Sequence, residues 1–97
     1  MVLEFLPQAS DEVAEAASYY DAREKGLGVR FRLEVESACN PIVLDPLLWR
    51  ERHGICRRAN LPGYPYYIAY FIRGERVLIA AVAHVSRHPD HWKKRAL

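Results

Sequence analysis

His84, Arg87, His88 and His91 crowd into a short stretch near the end of the chain, and a second basic pair, Arg57-Arg58, lies before them. Imidazoles take up and release protons near neutral pH, and guanidinium groups present a fixed fork of donors to phosphate or carboxylate oxygens. This set of residues suits acid–base work at a phosphate, or the binding of an acidic partner. Zinc fits it poorly, because Pro89 interrupts the histidine run and a closed site needs three or four oriented ligands. Cys39 and Cys56 lack C-x-x-C spacing and read as buried thiols, and neither a serine nor a cysteine sits in a triad pattern. No cofactor is expected.

Every candidate also has a purely structural reading. His84 can close a sheet as a hydrogen-bonding residue. Arg58 can pair with Glu51 or with a helix carboxylate, at a gain of at most about 1 kcal/mol if the pair is exposed. Trp92 suits an anchor that packs the last segment onto the sheet, behind a turn set by Pro89, more than it suits a platform for bases. Tyr64, Tyr66, Tyr67 and Tyr70 have the composition of a base-stacking surface, although core packing accounts for about half of them.

The elements that carry these residues follow from apolar period and punctuation. The run Val2-Leu3-Glu4-Phe5-Leu6, stopped by Pro7, predicts an opening strand. A helix capped by Ser10 follows, with Asp11 and Glu12 in its first turn and Val13, Ala16, Ala17 and Tyr20 on one face, ending at Gly26. A second helix runs from Leu27 through Phe31, Val35 and Ala38 to a breaker at Asn40-Pro41. After Asp45-Pro46 and His53-Gly54 the period changes to two, predicting strands over 55–61, 66–72 and 77–85, with Gly74 in the last hairpin turn. The expected fold is α+β: one N-terminal strand and an antiparallel two-helix hairpin packed on a mainly antiparallel four-stranded sheet, in the order β-α-α-β-β-β. In the last strand Leu78, Ala80, Val82 and His84 are expected on one face and Val77, Ile79, Ala81 and Ala83 on the other. Both faces are apolar, so this strand should be central and covered on both sides. Whether Arg57-Arg58 come near His84 depends on pairing register, which sequence does not supply.

Length and charge bound the function. With 97 residues, 51% hydrophobic and 27% charged, the chain predicts one domain over 1–97. It has neither an apolar run long enough for a membrane span nor a secretion leader, so a cytoplasmic address is expected. The net charge of +2 hides a division: residues 1–46 hold four Lys/Arg against nine Asp/Glu, and residues 47–97 hold ten against three. An acidic front and a basic back make a candidate positive face for phosphate or for an acidic peptide; a solvated charge pattern without a target is the alternative.

Together, Phe5-Leu6-Pro7-Gln8-Ala9 before a helix, Leu27-Gly28-x-x-Phe31 with Glu34-Val35-Glu36, Arg57-Arg58 before Leu61-Pro62-Gly63-Tyr64-Pro65-Tyr66, and Ala81-Val82-Ala83-His84-x-x-Arg87-x-Pro89-x-x-Trp92-x-x-Arg95 resemble the RelE/ParE toxin superfamily over nearly the whole chain. The resemblance implies the toxin of a type II toxin–antitoxin pair, of plasmid-stabilisation type, with one of two activities. ParE-like members poison DNA gyrase and replication, whereas RelE-like members cut messenger RNA, most of them at the ribosome and without a metal. In a nuclease, Arg58 would hold phosphate, His84 would act as acid or base, and Arg87 would offset transition-state charge. Arg57, Tyr70, Trp92, Lys94 and Arg95 would otherwise contact the target or the antitoxin. No tyrosine follows His84 and residues 47–54 contain no lysine, two departures from the nuclease pattern that favour the ParE-like branch. The implied partner is an antitoxin whose acidic C-terminal segment folds over the toxin's basic half in a hetero-oligomer, with gyrase or the ribosome and its messenger as target and no membrane.

Overall fold

The computed structural model describes residues 1–96. Strand β1 (Val2–Phe5) leads into helices α1 (Pro7–Arg23) and α2 (Leu27–Leu44), followed by β2 (Glu51–His53), β3 (Cys56–Asn60), β4 (Tyr66–Arg73), β5 (Arg76–His84) and two 3-10 turns, Pro89–His91 and Lys93–Ala96. The sheet order is β1-β5-β4-β3-β2; β1 runs parallel to β5 and the other pairings are antiparallel. This is the expected α+β arrangement with a fifth strand added. Strand β2 was invisible as a pattern, because its residues Glu51, Arg52 and His53 are all polar.

Helix α1 begins earlier than the expected Ser10 cap. Pro7 occupies its first turn, where a missing N–H leaves no bond unmade, and the N–H groups of Ala9 and Ser10 both donate to Leu6 O. Small residues Ala9, Ala16 and Ala17 line its buried face, allowing α2 to come close. A Cβ on Gly28 would sit 2.5 Å from Ala17 O, so only glycine fits at this contact. The Asp21 carboxylate closes the turn by accepting from the N–H of Gly26 at 2.8 Å and of Gly28 at 3.3 Å.

The expected stop at Asn40-Pro41 is overridden. Helix α2 continues through Pro41 to Leu44, with Asp45 N–H donating to Pro41 O at 3.0 Å. An internal proline costs about 3 kcal/mol, and a fully buried aliphatic side chain returns about 1.5–3 kcal/mol. Ile42 is completely buried in the last turn and Val43 partly so, which offsets the break.

Two cores sandwich the sheet. On the helix side, Val13, Phe31, Val35 and Ile42 meet Ile68, Tyr70, Val77, Ile79 and Val82. On the other side, Tyr67, Ala69, Phe71, Leu78, Ala80, Ala81 and Ala83 lie beneath Trp92 and Ala96 of the C-terminal turns. The expected face assignment in β5 holds only as far as Ala80. Ile79 pairs with Tyr70 and Ala81 with Ala69, so Ala80 is an extra residue without a partner on β4. This bulge shifts the alternation by one, placing Ala80 and Ala81 in the same core and moving Val82 to the helix side. His84, two residues further, follows Val82 and stands edge-on to Tyr66 at 5.3 Å.

Candidate functional site

A polar cleft lies where β5 outruns β1. Leu6 N–H still donates to Ile79 O, but beyond that point β5 has no strand on this side. Glu12 takes over: its carboxylate accepts from Val82 N–H at 3.0 Å and from the Arg95 guanidinium at 3.1 Å. Arg95 also donates to Ala80 O at 3.0 Å, so the bulge and the strand edge are satisfied by one side-chain pair. His91 lies 3.5 Å from the other Glu12 oxygen and within 3.4 Å of the Arg95 and Arg87 guanidiniums. The cleft above this network measures 220 Å³, and Glu12, Glu15, Tyr19, Tyr66, His84 and Arg87 are among its lining residues.

His84 is half-buried at the end of β5. Its Nδ1 accepts from Ser86 N–H at 3.0 Å and lies 2.8 Å from Ser86 Oγ, so in the neutral ring the proton resides on Nε2. Arg87 is exposed, with its backbone N–H donating to His84 O at 2.9 Å. These two residues come together as the C-terminal spacing suggests.

Arg58 does not join them. The register places it opposite Ala69, in the core layer beneath Trp92, whereas His84 projects toward the helices. Its guanidinium stacks over the Tyr67 ring at 3.8 Å, and its Nε donates to Asn60 Oδ1 at 3.1 Å. The expected pairing with Glu51 or a helix carboxylate is replaced by this cation–π contact.

The residues considered for partner contact separate by burial. Tyr70 and Trp92 are fully buried and offer a partner no surface. The Tyr70 hydroxyl donates to Pro46 O at 2.6 Å, and burial pushes its pKa up to about 12. Trp92 Nε1 donates to the Tyr67 hydroxyl at 2.8 Å, which makes Trp92 the anchor of the C-terminal turns. Arg57 is half-buried on the helix side and donates to Trp49 O, and Arg95 is 15% exposed in the Glu12 network. Lys94 stands in solvent.

Glu12 is the contributor that sequence reasoning missed as a site residue, and Tyr67, grouped there with the base-stacking tyrosines, instead packs under Arg58 and accepts from Trp92. Glu12 reads locally as a favourable first-turn acid; the groups it holds lie 70 and 83 residues away. Two apolar grooves flank the helical hairpin. One, of 610 Å³, runs between β1 and the helices and is lined by Leu3, Phe5, Val13, Val35, Cys39 and Val43. The other, of 480 Å³, lies between α2 and β3, with Leu33, Ala38, Pro41, Trp49 and Ala59 in its walls.

Residues 3–89 match the family described as the ParE toxin of the type II toxin–antitoxin system, parDE. The chain belongs to the ParE toxin family.

No curated protein matches it in sequence. Among solved structures, a chain described as the chromosomal ParDE TA system from P. aeruginosa is similar with a TM-score of 0.77 at 14% identity, covering 87% of this chain and 95% of that one. At such low identity the likeness speaks to the fold alone. None of the described helices in this ParE-family chain is long and apolar enough to cross a membrane.

Proposed function

We propose that this ParE-family toxin arrests growth in the cytoplasm by poisoning DNA gyrase without cutting RNA, and that a cognate antitoxin holds it in check. The supporting observation is the division of its basic residues by the sheet: Arg58 stacks on Tyr67 on one side, and His84 and Arg87 border the cleft on the other. A metal-free ribonuclease needs its base, acid and charge-stabilising cation within reach of one phosphate. The His84 cleft also has Glu15 in its wall, a carboxylate that forms no ion pair among the described residues and repels a phosphate, beside Glu12, whose charge Arg95 offsets.

The antitoxin reading rests on the two grooves beside the helical hairpin. A segment that folds on binding gives up ordering entropy and must recover it over a large apolar area. The grooves provide that area, and Arg32 in the wall of one and Arg57, bonded to the Trp49 carbonyl at the other, provide charge for its acidic side chains.

Inducible expression in bacteria, with gyrase supercoiling and ribosome-dependent translation assayed on the purified chain, tests the proposal. The expected result is growth arrest and gyrase inhibition with messenger RNA intact, both for the parent and for His84→Ala. Cleaved messenger that disappears in His84→Ala and Arg87→Ala would establish the ribonuclease instead.

A further inference from the structure

The sheet face away from the helices carries a cluster of cations for which neither the grooves nor the His84 cleft has a use. His53 lies edge-on to Trp92 at 5.5 Å. Burial, and then the charges of Arg52, Arg58, Lys93 and His88 around it, push its pKa down. Lys93 and Lys94, both exposed, follow Trp92 directly in the C-terminal turns that pack on this face. Asp90 is bonded to Lys93 at 2.7 Å, while among the described residues Arg52, Arg58 and Lys94 form no ion pair. A local excess of positive charge therefore sits on a chain whose net charge is only +2.

Arg58 is pre-oriented within this cluster. The Tyr67 ring fixes its plane at 3.8 Å, Trp92 fixes Tyr67 through the 2.8 Å bond to its hydroxyl, and Asn60 engages Nε. Its two terminal nitrogens have no acceptor among the described residues, leaving a fork that suits two parallel bonds to one oxyanion. Because the side chain is already ordered, little further rotamer entropy is lost on binding.

The shape of the surface selects the class of anion. None of the grooves and clefts flanking the helices is lined by these cations. Strand β2, at the nearby sheet edge, has three residues and an irregular register, which is too little for strand addition. Peptides bind through side-chain pockets, grooves or strand edges, whereas a phosphate backbone needs only spaced donors and charge. We propose that Arg52, Arg58 and Lys94 bind the phosphodiester backbone of a nucleic acid without reading its bases. The inference is independent of which macromolecule the toxin poisons.

Fluorescence anisotropy of the full chain with a labelled mixed-sequence DNA duplex tests it. Three phosphates neutralised give a slope of about −2.7 in log K against log salt, or about a 40-fold loss of affinity between roughly 50 and 200 mM salt. Arg58→Gln should flatten the slope by about one, and Arg52→Gln with Lys94→Gln by about two. Arg30→Gln and Lys25→Gln, on the helical hairpin, should leave it unchanged, with circular dichroism confirming that every variant is folded. No binding at the lower salt, a slope near zero, or equal losses in the hairpin variants overturns the proposal. A poly-glutamate peptide of matched charge that binds as tightly as the duplex overturns it too, and assigns the face to an acidic protein.

Discussion

Replacing Glu12 by alanine tests whether one carboxylate closes the exposed end of β5. The change removes the acceptor for Val82 N–H, a part-buried backbone donor held at 3.0 Å, and leaving such a group unsatisfied costs about 1–3 kcal/mol. It also strips Arg95 of its partner; the two side chains are 15% and 18% exposed, so solvent screens part of this loss. Arg95 keeps its bond to Ala80 O at 3.0 Å, and about 1–2 kcal/mol remains for the ion pair. The total is about 3 kcal/mol, equivalent to a fall in Tm of about 12–24 °C for a domain of this size. Glu12→Gln retains an oxygen for Val82 N–H and loses only the charge, at about 1 kcal/mol. Urea and thermal unfolding followed by far-UV circular dichroism measure both, and Arg95→Ala alone and combined with Glu12→Ala should reveal a coupling of about 1 kcal/mol. The reasoning fails if Glu12→Ala costs no more than Glu15→Ala, an exposed neighbour worth about 0.5 kcal/mol or less, or if glutamine proves no better than alanine.

Gly28→Ala should destabilise the chain by about 1–3 kcal/mol in urea, because the new methyl group meets Ala17 O across the helix contact; an unchanged or raised urea midpoint would show that the helices separate at no cost. His53 has a folded pKa held below its ordinary value by burial and then by Arg52, Arg58, Lys93 and His88. The neutral ring is therefore favoured in the native state, and its contribution is present above the unfolded pKa and lost as pH falls from about 6.5 through the lower folded value. The urea midpoint should drop between pH 7 and pH 5 by more in the parent than in His53→Gln. Burial pushes the thiols of Cys39 and Cys56 up to about 11. Both should resist a thiol reagent at pH 8 until the chain is unfolded, and their share of stability should disappear as pH rises from about 8.5 through 11. Rapid labelling of the folded chain at pH 8 would contradict this.

Local signals and long-range contacts divide the legible from the illegible. Helices α1 and α2 were readable because Val13, Ala16, Ala17, Phe31 and Val35 repeat on one face, β4 and β5 because they are short apolar runs, and β3 because Gly54 and Pro62-Gly63 bound it. The errors fell where a local preference yielded to packing. Pro41 did not stop α2, since Ile42 beyond it is completely buried, and Ser10 was not needed as a cap once Pro7 opened the helix. The proximity of His84 and Arg87 was legible from their spacing. The stacking of Arg58 on Tyr67 was not, because it depends on which face a strand residue occupies and what stands beside it.

Sequence alone determined the order of the elements apart from β2, the two apolar helix faces, the acidic front and basic back, and the family, all of which are written in residue types and short spacings. Tertiary structure decided how the charges are used. The unpaired Ala80 shifts β5 by one residue and sends His84 to the helix side, Glu12 and Arg95 close the strand edge, and the sheet separates Arg58 from the cleft. A one-residue slip reverses every side chain that follows it, and contacts between residues 70 or more positions apart leave no periodic trace.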